Sequence, residues 1–132
     1  MIHGIGTDIV RLERFEQMYH RHGERLVRHL LLPAEAELFA HNKRPARFLA
    51  MHWAAKEAIV KALGTGFADG MWIRDTGYVS NAAGKPEIIW SDNGHTTCAR
   101  LGIGAGHLTL SDDHGLIVAV AVLMRATGMH GD

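Results

Sequence analysis

The sequence has a single cysteine, Cys98, in 132 residues, so it can form no internal disulfide and no thiolate zinc cluster. It also lacks a long apolar run. The longest, Leu116 to Met124, is nine residues, where a membrane span needs about 18 to 20, so no transmembrane helix is expected. Asp8 interrupts the N-terminus before an apolar signal core can form, which leaves the cytoplasm as the expected compartment. Net charge is absent as well, with 14 Lys and Arg against 14 Asp and Glu. That balance argues against a chain-wide affinity for nucleic acid or an anionic membrane. With only 3 prolines, 47% hydrophobic and 21% charged residues, the composition describes one compact soluble domain.

Charge is uneven along the chain. Residues 1–66 hold ten Lys/Arg and seven Asp/Glu, and residues 67–132 hold four and seven, so an acidic partner would dock on the first half.

Met1 to Ile9 reads as a strand that ends near Thr7 and Asp8, with Asp8 at a strand-to-helix junction. Leu12, Phe15 and Met18 recur at helical spacing until Gly23, and a short helix spans Glu24 to Leu32. Pro33 opens a third, with Glu35 and Glu37 in its first turn, running toward His41. Ala46 to Leu63 has no Gly or Pro and is rich in Ala, Leu, Met, Lys and Glu, which predicts a long helix closed by Gly64 and Gly66. Met71–Val79 and Pro86–Trp90 form a hairpin across residues 80–85, and Ser91 or Asp92 caps a helix through Leu101. After a Gly-rich break at Gly102 to Gly106, Leu108–Ser111 pairs with Leu116–Leu123 across Asp112 to Gly115. The order predicts an α+β fold: a small antiparallel sheet packed with a long central helix and shorter helices. A single domain over residues 1–124 with a tail over 125–132 is expected.

Chemical motifs are mostly missing. Gly64 to Gly70 is one residue too long for GxGxxG and follows a helix rather than a strand, and no GxxxxGK[ST], HExxH or GxSxG occurs. Glycine termination of the long helix followed by a flexible loop accounts for Gly64 and Gly66 locally. What remains is oxygen chemistry. Asp8 sits inside an apolar segment, as an N-cap or as a ligand, and Glu57 lies in the long helix beside Lys56 and Lys61. Glu57 and Lys61 form an ordinary i, i+4 surface pair, yet two carboxylates brought together would suit Mg2+. Arg11, Arg14, Arg21, Arg25 and Arg28, with Met18 among them, fall at spacings that place much of the set on one stripe, either a solvated face or a docking face.

Taken together, Gly4-Ile-Gly-Thr-Asp-Ile-Val10, Phe48-Leu-Ala50, Trp53-Ala-Ala-Lys-Glu-Ala58, Lys61-Ala-Leu-Gly-Thr-Gly66 and Gly84-Lys-Pro86 resemble the bacterial holo-[acyl-carrier-protein] synthase family, in order and in spacing. The resemblance covers Met1 to about Leu123. It implies the 4'-phosphopantetheinyl transferase fold and transfer of phosphopantetheine from coenzyme A to a serine of apo acyl carrier protein, with adenosine 3',5'-bisphosphate released. Asp8 and Glu57 are then the Mg2+ ligands, and Glu57 and Lys61 the catalytic pair. Coenzyme A contacts are implied for Lys61, Gly64, Gly66, Gly84, Lys85, Pro86 and Asp112, and carrier-protein contacts for Arg14, Met18, Arg21 and Arg44, with Phe15 adding apolar surface. A homotrimer with active sites between subunits is implied too, and a role in fatty acid biosynthesis. Two positions depart from the pattern. His52 stands where many relatives carry Arg as a phosphate contact, and Asp112 where many carry His. These departures motivate one alternative, a noncatalytic trimeric module that binds coenzyme A or carrier protein.

Overall fold

A computed structural model describes residues 1–68 and 70–127. Strand β1 (Ile2–Arg11) leads into helices α1 (Leu12–His22), α2 (Glu24–Leu30), α3 (Pro33–Phe39) and the long α4 (Pro45–Leu63). A 3-10 turn at Ile73–Asp75 precedes the hairpin β2 (Thr76–Ser80) and β3 (Pro86–Trp90). Helix α5 (Asp92–Leu101) and the hairpin β4 (Ile103–Asp113) and β5 (Leu116–Arg125) complete the α+β fold. Both sheets are antiparallel. One has the order β1-β5-β4 and the other pairs β2 with β3, with β3 packed beside β4.

Helix α4 lies across the three-stranded sheet. Its alanines 50, 54, 55, 58 and 62 are buried against β1 and β5. Small side chains let the backbones approach closely, and β1 answers with glycine: a Cβ on Gly4 or Gly6 would fall within 3.0 Å of the carbonyl oxygen of Ala62 or Ala58. Larger apolar groups, Leu49, Ile59, Ile117 and Leu123, fill the core around this contact.

Several elements extend beyond their predicted bounds, for identifiable reasons. β1 continues to Arg11 because it pairs with β5 as far as Leu116, so Asp8 is a strand residue facing α4 and not a junction residue. The N-cap of α1 is Arg11, which removes the capping alternative for Asp8. Residues Ile73–Asp75 turn rather than extend, because the Asp75 carboxylate accepts the Trp72 amide at 2.8 Å. Gly102 alone breaks α5, and the rest of the glycine-rich stretch is a register shift within β4, between Ile103 and Gly106. The final turn is only His114-Gly115, both with positive φ, so Asp112 belongs to β4 and does not begin the turn. β5 includes Arg125, the first residue assigned to the tail, and residues 128–132 lie outside the described part. The arginine stripe is also divided. Arg11 is in β1, and Gly23, at φ 52, turns the chain between Arg14 and Arg21 on α1 and Arg25 and Arg28 on α2.

Candidate active site

Position along α4 decides which side chains meet β1. Residues 53, 57 and 61 are spaced at i, i+4, i+8 and share one helical face. From that face the Lys61 ammonium donates to the Thr7 carbonyl oxygen at 3.0 Å and lies 3.3 Å from Asp8 Oδ1. Lys61 therefore crosses to β1 rather than serving only as the helical partner of Glu57. The second carboxylate oxygen, Asp8 Oδ2, is buried and has no hydrogen-bond partner among the described residues. Glu57 is half-buried nearby, and its pKa is raised, first by burial and then by the negative charge of Asp8, while Lys61 and Arg14 act in the opposite direction.

These observations test the Mg2+ assignment directly. Two carboxylates close enough for the charge of Asp8 to make Glu57 harder to ionise, one of them with an unsatisfied buried oxygen, form a hard-oxygen donor set wanting a cation. No cluster of three or more His, Cys, Asp or Glu occurs among the described residues, so remaining coordination positions would fall to water and substrate oxygens. The residues fit the ion.

The other sequence-derived residues divide by position. Gly64, with φ 90, ends α4, and its neighbour Gly66 has φ 60, so both adopt backbone that other residues rarely enter. His3 donates to the Leu63 carbonyl oxygen at 3.1 Å and ties this helix end to β1. Gly84, Lys85 and Pro86 sit at the β2–β3 turn, where Asn81 Oδ1 accepts the Ala83 and Lys85 amides at 2.9 and 3.0 Å. That hairpin packs against β4, whereas Asp8 is on β1, the opposite edge of the sheet. Asp112 is on the β4 side too and is paired with Arg47 of α4. A single subunit thus brings together Asp8, Glu57 and Lys61 but keeps Gly84, Lys85, Pro86 and Asp112 across β5 from them.

Arg14, Arg21 and Arg44 are exposed, while Met18 is half-buried and packs against the core. Arg14 also lies close enough to Glu57 to act on its charge. Phe15 is 1% exposed and offers no apolar docking surface.

His52 is not a phosphate contact. It is buried in α4, stacked between the rings of Phe48 and Tyr78 with both centroid distances 4.0 Å, and its Nδ1 lies 2.5 Å from Glu35 Oε2. Lys56, also fully buried, donates to Glu35 Oε1 at 2.6 Å and to the Thr76 carbonyl oxygen at 2.6 Å. The amides of Leu32 and Tyr78 complete the shell of Glu35 at 2.9 and 3.2 Å. Glu35 is thereby held below the usual carboxylate range: burial opposes ionisation, but the His52 hydrogen bond and the Lys56 charge outweigh it. Sequence reasoning missed this cluster. Its one signal was the presence of Lys56 and His52 one turn apart in a helix otherwise rich in Ala and Leu.

The sequence profile of the 4'-phosphopantetheinyl transferase superfamily matches residues 4–121, which places the chain in that class. A holo-[acyl-carrier-protein] synthase of Halorhodospira halophila is 42% identical over 124 residues, 94% of this chain and 98% of the relative. One of Vibrio cholerae is 40% identical over 125 residues, 95% and 99% of the two chains. The chain belongs to the holo-[acyl-carrier-protein] synthase family of enzymes. Among solved structures, the Neisseria meningitidis synthase superposes with a TM-score of 0.89 at 34% identity, covering 95% of this chain and 100% of that one. The Helicobacter pylori synthase in complex with coenzyme A gives 0.78 at 27% identity, covering 91% and 99%.

Proposed function

We propose that this enzyme moves the 4'-phosphopantetheine group of coenzyme A onto a serine of apo acyl carrier protein, with Mg2+, releasing adenosine 3',5'-bisphosphate and serving fatty acid biosynthesis in the cytoplasm. The observation that carries the reading is the orphaned Asp8 Oδ2 beside Glu57 and Lys61, in a family where a relative has been solved with coenzyme A. No described helix is long and apolar enough to cross a membrane, which accords with soluble partners.

The chemistry asks for little covalent help. Serine attack on a phosphoryl group builds negative charge on phosphoryl oxygens and on the departing bisphosphate, so alignment and positive charge carry the catalysis. Mg2+, when held by Asp8 and Glu57, supplies Lewis-acid polarisation and charge neutralisation at those oxygens. Lys61, fixed against the Thr7 carbonyl oxygen and half-exposed at its tip, presents its ammonium to the same phosphates. The serine proton goes to an acceptor in this same site, either Glu57 or a water beside it. The positive-φ glycines Gly64 and Gly66 expose main chain to the nucleotide beside Lys61. A pure binding module has no use for the carboxylate pair, which argues against the noncatalytic alternative.

The separated half-sites bear on assembly. Lys85, Gly84, Pro86 and Asp112 can complete the Asp8 edge only from a neighbouring copy, which supports a homotrimer with active sites between subunits. The outer face of the sheet is fitted to such packing. Ile5 and Ile9 are 62% and 60% exposed, and beside them Val122 and Val118 of β5 lie in register with them. On the remaining surface, Arg14, Arg21 and Arg44 offer positive charge to an acidic carrier, with Met18 beneath them. A hollow of about 440 Å3 between α1, α2 and α3, lined by both polar and apolar groups (Tyr19, Glu24, Val27, Phe39, Asn42 and Pro45), is available to a partner's side chain.

The test is to incubate the protein with coenzyme A, Mg2+ and apo carrier protein and weigh the carrier. A phosphopantetheine mass increase is expected; its absence, under conditions where a known transferase works, overturns the reading.

A further inference from the structure

The transfer reaction makes no use of the buried Glu35, His52 and Lys56, yet these three join the catalytic helix to the rest of the molecule. His52 and Lys56 are one turn apart on α4 and both end on the Glu35 carboxylate of α3, while Lys56 and Glu35 each also bond β2, through the Thr76 carbonyl oxygen and the Tyr78 amide. Contacts made by alanine give α4 close approach but little directional preference. The directional contacts on this side of the helix are the polar ones. The next residue after Lys56 is Glu57, so the rotation of α4 that seats Lys56 on Glu35 also decides where Glu57 and Lys61 point.

Glu35 is ionised and can only accept, so His52 is the Nδ1–H tautomer, donating to Oε2. Burial leaves room for one cation against one carboxylate. Lys56 already supplies it, at 2.6 Å and with no solvent exposure; burial lowers its pKa, and the Glu35 charge and hydrogen bond act to keep its proton on. A proton on His52 would add a second positive charge to a site with a single negative one. The groups facing His52 are Glu35 from α3, Lys56 from α4 itself and Tyr78 from β2, while Arg74 of the 3-10 turn acts on Lys56 and Arg47 of α4 acts on Tyr78. None offers a second anion.

We propose that His52 is a positioning residue that makes the α3–α4–β2 junction an acid-labile clamp: neutral His52 closes it and holds Glu57 and Lys61 toward Asp8, and protonated His52 loosens it. The pKa of His52 is lowered, by burial first and by the Lys56 charge, with the Glu35 bond opposing. For a histidine depressed in the fold, stability is complete above the unfolded pKa, about 6.5, and is lost as pH falls through the folded value. The clamp concerns the fold and stands without the transfer reading, whereas its effect on Glu57 and Lys61 rests on that reading.

The experiment has three arms. Imidazole nitrogen NMR of the wild-type protein should include a histidine of the Nδ1–H tautomer that titrates below about 6.5; assignment to His52 comes from the loss of that signal in His52→Gln. Denaturant unfolding from pH 7.5 to 5.5 should show the wild-type folding constant falling more than that of His52→Gln, by up to about tenfold at pH 5.5. The glutamine can still donate to Glu35 but does not titrate, and the nine other histidines are common to both proteins and cancel. Transfer rates should fall on the acid side more steeply for wild type than for His52→Gln. A His52 that titrates at or above 6.5, or is the Nε2–H tautomer, overturns the proposal even if the variant fails to fold, and so do parallel stability profiles. Confirmed stability arms with parallel rate profiles remove the positioning role alone. Confirmed stability arms with no transfer by either protein overturn the proposed function and leave the clamp intact.

Discussion

Lys61 and Asp8, 53 residues apart in sequence, meet with Nζ 3.3 Å from Oδ1, and this contact occupies only one of the two Asp8 oxygens. The other is buried and without a partner among the described residues, and the charge of Asp8 acts on Glu57. Alanine at either carboxylate should lower transfer by at least about 100-fold, the scale of losing a preorganised electrostatic group, with the circular dichroism spectrum unchanged. Steady-state kinetics across a Mg2+ titration is the check, and wild-type activity with unchanged metal dependence in either variant would remove that residue as a ligand.

Glu57→Gln should separate stability from activity. A carboxyl raised in the fold stabilises the protein below its unfolded pKa, near 4.5, and that contribution is lost as pH rises through the folded value. At neutral pH the ionised Glu57 therefore opposes folding of the metal-free protein. Because the group is partly exposed, solvent screening keeps the gain small: the melting temperature of metal-free Glu57→Gln should rise by on the order of 1 °C at pH 7.5, with no rise at pH 4. Transfer should be lost at the same time. Calorimetry in the presence of a chelator measures the difference.

Gly6→Ala should destabilise the fold by about 1–3 kcal/mol, the cost of forcing extra volume into a packed contact. The new methyl meets main chain at Ala58, which cannot swing aside. Urea unfolding gives the number. A loss below about 0.5 kcal/mol would mean that α4 slides freely on β1.

Lys56→Met should cost about 3–5 kcal/mol, because it strands the buried Glu35 carboxylate. Removing the carboxylate as well, in Glu35→Leu with Lys56→Met, should recover much of that loss. A double-mutant cycle in denaturant supplies the coupling.

Ile9→Glu should dissolve the proposed trimer without unfolding the subunit, since Ile9 is 60% exposed on the outer sheet face. Light scattering should show a trimer for wild type and a smaller species for the variant.

Arg14→Glu with Arg21→Glu should raise the Michaelis constant for carrier protein, with the effect shrinking as salt shortens the Debye length to about 8 Å at physiological strength. Coenzyme A affinity, measured by calorimetry, should barely change.

Helix α4 was legible because its stop signals and composition are local, as were the two hairpins, whose turns carry Asn-Ala-Ala-Gly and His-Gly. Asp8 and Glu57 came together only through the family resemblance, since their meeting depends on β1 pairing with β5 and on glycines that admit α4. Glu35 looked like a first-turn helix acid, which it is, and Lys56 like a flank of Glu57. Their burial is set by Thr76 and Tyr78, residues that no local pattern connects to them. The Arg47–Asp112 pair is hidden for the same reason, its members lying 65 positions apart in sequence.

The placement of Asp8 at one sheet edge and of the β2–β3 turn at the other has a genetic consequence. If each site forms where the edge of one subunit meets the opposite edge of the next, a chain defective at Asp8 and a chain defective at Lys85 are each inactive alone. Mixed in one ring, they meet in one junction where both contributing edges are intact, so every mixed trimer carries one working site of three. Damage to this enzyme would then be recessive in an unusual way: two null alleles, co-expressed, would rescue each other.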